Sequence, residues 1–96
     1  MKTGYKQKIE QALKERSLSN GIGAVLSDGS TIMSYLTRKG YYVDEGILYP
    51  TYDYVVIGKS RFSVESLEQA MVGLNPTGIV IVVIDGEAVV LTQRSN

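Results

Sequence analysis

The sequence predicts a small α/β (or α+β) domain, with a mixed sheet of four or five strands and two or three helices. Three observations carry this. First, an apolar run at residues 54–57, a helix-spaced segment at 64–74 and a second apolar run at 79–84 read as a β-α-β unit. Second, Asp85-Gly86 between the run at 79–84 and residues 87–93 is a hairpin signal. Third, Tyr5, Ile9, Ala12 and Leu13 recur on one helical face. With 96 residues and no shift in composition, residues 1–96 form a single domain.

The elements follow in chain order. Residues 4–17 read as a helix that Thr3 caps and Ser17-Leu-Ser-Asn-Gly21 ends. Residues 22–26 read as a short strand. Asp28-Gly29 is compatible with a hairpin, but a helix over 31–39 is the better reading. Ser30 or Asp28 would cap it, Ile32, Tyr35, Leu36 and Met33 would be buried, and Gly40 would stop it. Residues 41–43 begin extended structure, broken at Asp44-Glu45-Gly46, and a second extended segment covers 47–58 with Pro50 near its start. Ser63 caps the helix at 64–74, whose stripe is Val64, Leu67, Met71 and Leu74, and Asn75-Pro76 ends it. The strand at 79–84 is apolar throughout. It must be covered on both faces, or on one face and by a partner chain on the other.

Composition excludes chemistry more firmly than it suggests any. The chain has no cysteine and no histidine, which removes disulfides, thiolate ligands, cysteine nucleophiles and the commonest general base and zinc ligand. Ten Lys and Arg balance ten Asp and Glu, so the footprint of a phosphate-gripping protein is missing and nucleic acid is not an expected partner. Residues 1–16 carry five cations and two acids, a net of +3, read as a solvated helix face. No apolar run reaches the roughly 20 residues of a membrane span, and the N-terminus is polar; a soluble, cytoplasmic protein is expected.

Five of the seven tyrosines, Tyr41, Tyr42, Tyr49, Tyr52 and Tyr54, fall between residues 41 and 54, together with Asp44, Glu45 and Asp53. Tyrosine combines a stiff apolar ring with a polar tip, which suits binding surfaces. Carboxylates among the rings would steer a basic partner or hold a cationic ligand. Two other readings compete. Alternate tyrosines such as Tyr52 and Tyr54 could face the core. Arg38, Lys39, Lys59 and Arg61 could neutralise the acids into a salt-bridged scaffold.

Gly58-Lys59-Ser60 lacks the glycine-rich loop of a phosphate-binding loop. Without histidine, a serine nucleophile would need a lysine base, and no Ser-x-x-Lys spacing supplies one. Pro50, Asp53 and Ile57-Gly58-Lys59, followed by a helix and an apolar strand, resemble the core of PD-(D/E)xK nucleases. That resemblance implies a metal-dependent nuclease, active or degenerate, with Asp53 or Asp44, Lys59 and Glu10 as its acids and lysine. Ile57 stands where the family has its second carboxylate, and isoleucine cannot ligate a metal.

The leading expectation is a non-enzymatic binding protein, a homo-oligomer (a dimer), that uses the tyrosine-rich acidic stretch to take a protein or a small ligand. No catalytic residue, metal ligand or cofactor is assigned.

Overall fold

The structure, a computed structural model, describes residues 4–92. The order is α1 (Tyr5–Glu15), β1 (Ile22–Leu26), α2 (Thr31–Arg38), β2 (Tyr42–Glu45), β3 (Tyr52–Gly58), a 3-10 turn (Lys59–Arg61), α3 (Val64–Val72), β4 (Leu74–Ile84) and β5 (Glu87–Thr92). The five strands form one mixed sheet in the order β2-β1-β3-β4-β5. The first four are parallel, and β5 returns antiparallel beside β4 through a turn with left-handed Asp85 and Gly86. The fold is α/β, as the β-α-β unit and hairpin predict.

The helices sit where their apolar spacing puts them. In α1 the buried residues are Ile9, Ala12 and Leu13. Gly4 occupies the cap position without a side-chain bond, and the expected cap, Thr3, lies outside the described residues. α2 buries Ile32 and Leu36 and gives way at Gly40, whose φ of 91° suits glycine alone. The helix reading of this segment is correct, although Ser30 makes no side-chain cap bond. Tyr35 ties α2 to α1 by donating its hydroxyl to Glu10, while Lys6 and Lys39 approach its ring at 5.7 and 5.6 Å.

Three boundaries differ from expectation. β2 runs through Asp44 and Glu45 and stops at Gly46, because Ala24 and Val25 of β1 pair with both acidic residues. Residues 46–51 are a connection, not part of the extended segment expected over 47–58. α3 has the predicted Ser63 cap, in a reciprocal box with Ser66. It ends at Gly73, and Leu74 and Asn75-Pro76 begin β4. The Tyr52 N–H captures the Gly73 carbonyl at 2.7 Å, so sheet pairing starts before the proline. The ladder shifts register between Tyr52 and Tyr54, which accommodates a residue without a donor. Of the predicted stripe, Leu67, Met71 and Leu74 pack against the core and Val64 does not, at 75% exposure, while Ala70 is the fully buried residue of α3.

Each face of the sheet has its own core. Val25, Tyr54, Val56, Ile79, Ile81 and Val83 pack with α1 and α2. Ala24, Leu26, Tyr52, Val55, Ile57, Val80 and Val82 pack with Leu67, Ala70 and Met71 of α3 and with Ile47. Side chains alternate along β4 between the two cores, so the all-apolar strand is covered on both faces by this one chain. Closing the core therefore requires no second copy. Among the described residues, no helix is long and apolar enough to cross a membrane.

Candidate functional site

The tyrosine-rich stretch divides. Tyr41, Tyr52 and Tyr54 are buried, at 8%, 1% and 0% exposure, which corrects the expectation that they belong to a binding surface. Tyr54 lies over Gly23, its ladder partner, filling the space where a side chain would be. Burial drives its phenol pKa well above the usual value. Tyr52 accepts a bond from the Leu48 N–H (3.1 Å) and donates to Asp44 Oδ2 (2.8 Å), pinning the 46–51 connection to β2. Its phenol pKa is also raised, chiefly by desolvation.

Tyr42 and Tyr49 are 72% and 61% exposed. Together with Asn20, Ile22, Val43 and Asp44 they line a hollow of about 490 Å³. Ile22 and Leu48 are exposed too. The geometry explains the opening. α3 packs on the core formed by β3 and β4, Ile47 of the 46–51 connection joins the same core beside Ala24 and Leu26 of β1, and β2 is an edge strand. The result is a shelf of two phenol rings and an isoleucine with one carboxylate. Asp44 Oδ1 has no hydrogen-bond partner among the described residues.

The other acids do not gather there. Glu45 lies at the far end of β2, beside Ser27, Gly46 and Arg61. Asp53 is structural: its carboxylate accepts the Ile22 N–H at 2.9 Å and the Asn75 Nδ2–H at 2.6 Å. Nor do the flanking cations neutralise the stretch. Lys59 pairs with Asp85 (2.7 Å) and Arg61 with Asp28 (3.7 Å). The salt-bridged scaffold is thus not formed among the described residues.

The residues of the nuclease resemblance are not brought together. Asp53 and Lys59 stand at opposite ends of β3, separated by roughly 20 Å at the rise of an extended strand. Glu10 is held by Tyr35, and Asp44 by Tyr52. Among the described residues, no three acidic side chains cluster to hold a metal.

A second crevice emerges only from the topology. The chain runs outward from β1 to β2, then returns to β3 on the other side, so strand order reverses between β1 and β3. In open α/β sheets, ligands bind beyond the carboxyl ends of the strands at such a point. Here a hollow of about 490 Å³ is lined by Ser27, Asp28, Gly58, Lys59, Ser60 and Asp85, among others. A Cβ at Gly58 would meet Ser27 Oγ at 3.0 Å, so the glycine leaves that hydroxyl its room. The sequence shows Gly58-Lys59-Ser60 as an incomplete phosphate loop and Asp28 and Asp85 as cap or turn residues, and does not join them into one site. Their signal lies in their shared position after β1, β3 and β4, which becomes visible once strand order is known.

Comparison of the chain with protein-family models, with curated proteins and with solved structures finds no match.

Proposed function

We propose that this chain is a small non-enzymatic binding module whose working surface is the Tyr42–Tyr49 shelf. Its target is a protein segment or small ligand that carries a cationic or aromatic group. A single observation supports the reading: two largely exposed tyrosines share one hollow with Ile22 and a carboxylate that has no ion-pair partner among the described residues. Exposed aromatic rings gain area on binding at little entropic cost, and a nearby carboxylate favours a cation stacked on them. NMR titration with choline and its neutral isostere 3,3-dimethylbutan-1-ol tests it. Choline should shift the amides of residues 42–44 and 49 more strongly than the isostere, and Tyr42→Ala/Tyr49→Ala should abolish the shifts without unfolding the domain. Equal binding by the double variant would refute the proposal.

Self-association is proposed through the same shelf and the free edge of β2, since β4 needs no cover. Light scattering of the wild type against the double variant tests it: a monomeric wild type removes the dimer. The cytoplasm is the proposed location, and fractionation of cells expressing the tagged chain checks that.

A second reading, supported by the reversal of strand order, is an anionic ligand in the crevice between β1 and β3. Lys59 would exchange Asp85 for the anion, while the Ser27 and Ser60 hydroxyls donate to it. Titration with inorganic phosphate, read on the amides of residues 27–30 and 58–61, should then lose its response in Lys59→Ala.

A further inference from the structure

The neutral total charge conceals a strong separation. From residue 40 to residue 92 the only cations are Lys59 and Arg61, each paired with an aspartate. The helices on the other face, α1 and α2 with their C-cap residues Arg16 and Lys39, carry Lys6, Lys8, Lys14, Arg16, Arg38 and Lys39 against Glu10 and Glu15. The face formed by β2, the 46–51 connection and α3 is therefore acidic.

The exposed apolar side chains follow the acids. Val72 is 87% exposed, Val64 75%, Leu48 65% and Tyr49 61%, whereas α1 and α2 expose no large apolar side chain. A groove of about 570 Å³ runs between α3 and the connection, with Ile47, Tyr49 and Pro50 on one side and Glu65, Glu68 and Val72 on the other. Glu65 and Glu68 are neighbours on one helical face. Among the described residues, neither makes an ion pair or a side-chain hydrogen bond. Exposed valines also gain α3 nothing as a helix, since β-branching lowers helix propensity.

We infer that this groove receives a lysine- or arginine-rich amphipathic segment of another protein. A bulky apolar side chain enters the hollow between Tyr49 and Val72, and flanking cations meet Glu65 and Glu68. Two features select this occupant. The groove carries acids without counter-charges, which calls for a basic partner. Ile47, Tyr49, Pro50 and Val72 give it apolar walls, which calls for a hydrophobic anchor. A second copy supplies only half of this, because its cationic α1–α2 face has no exposed apolar anchor. The inference goes beyond the Tyr42–Tyr49 shelf, whose lining shares only Tyr49 with that of the groove.

The test uses three fluorescently labelled peptides of equal length: Lys/Leu with leucines at helical i, i+3, i+4, i+7 spacing, Lys/Ser with the same charge, and Glu/Leu with the same apolar pattern. The Lys/Leu peptide should bind at least tenfold more tightly than either control, weaken with added salt, and shift the amides of residues 47–50 and 64–73. Glu65→Lys/Glu68→Lys should weaken it at least tenfold, and the milder Glu65→Gln/Glu68→Gln by less. Val72→Ser should weaken it with the charges intact. Tyr42→Ala should leave it unchanged while removing the choline response, so the groove and the shelf succeed or fail separately. The inference is overturned if the Lys/Ser or Glu/Leu peptide binds as well, if both glutamate variants retain full affinity, or if the shifts map elsewhere. It is equally overturned if the same amides shift with protein concentration alone, which would make a second copy the occupant.

Discussion

Gly23→Ala isolates the closest packing in the sheet. An added Cβ would lie 2.0 Å from Tyr54 Cε2, 2.3 Å from Cζ and 2.5 Å from Cδ2. The backbone at Gly23 is not left-handed, so alanine itself should favour the strand, by about 0.5–1 kcal/mol over glycine. The whole cost therefore falls on displacing a ring that is 0% exposed. Overpacking of this kind costs about 1–3 kcal/mol, which in a domain of this size lowers Tm by roughly 5–20 °C. Tyr54→Val removes the three ring atoms nearest the added methyl and should by itself cost on the order of 2–4 kcal/mol. In that background Gly23→Ala should be close to neutral, or stabilising by a few tenths of a kcal/mol. The coupling, about 1–3 kcal/mol, is what contact between the two residues requires. Equilibrium urea unfolding with a common m-value measures all four proteins. If Gly23→Ala costs as much beside valine as beside tyrosine, or costs nothing in the wild type, the ring is not what excludes a side chain there.

Alkaline pH should destabilise the fold. The hydrogen bond to Glu10, with burial and the nearby charge, pushes the Tyr35 phenol from 10.0 to about 12, and burial raises Tyr52 and Tyr54 as well. A raised phenol means that the unfolded chain loses its proton first. The stabilisation is complete below pH 10 and falls as pH climbs toward 12. Phenolate absorbance read beside far-UV circular dichroism should show a late fraction that appears only with unfolding; one free step near pH 10 in a still-folded protein would contradict this. Asp53→Ala should cost about 1.5–3 kcal/mol in urea unfolding, because it orphans the Ile22 N–H and Asn75. Asp44→Ala should speed amide exchange at Leu48 and cost about 1 kcal/mol, since the Tyr52 hydroxyl loses its acceptor.

The elements were legible where periodicity and punctuation agreed. α1, β1, α2 and the hairpin at Asp85-Gly86 were readable because one apolar face or one turn dipeptide decides each of them. Boundaries set by pairing were not. Asp44 and Glu45 look like a break, yet they extend β2 because β1 supplies partners. Asn75-Pro76 looks like a helix stop, yet it lies in β4 because Tyr52 reaches Gly73. The candidate site was readable as a stretch but not as a surface. A period of two would put Tyr52 and Tyr54 on one face of β3, yet the register shift between them sends each to a different core, and only strand order determines which face a helix covers. Tyr42 is left on an edge, whereas Tyr54 meets Gly23. The crevice between β1 and β3 joins residues some thirty positions apart, and no local pattern announces it.

The placement of β1 bears on how the chain is made. Of the five strands of this sheet it is the first to be synthesised, yet it ends up flanked by two that are made afterwards. Until β2 and β3 emerge, its ladder groups must rely on water. Among the described elements, α1 is the one made before it that can shelter its greasy side chains. Assembly should then hinge on a late, concerted zipping around an early strand, a slow kind of step for parallel neighbours distant in the chain.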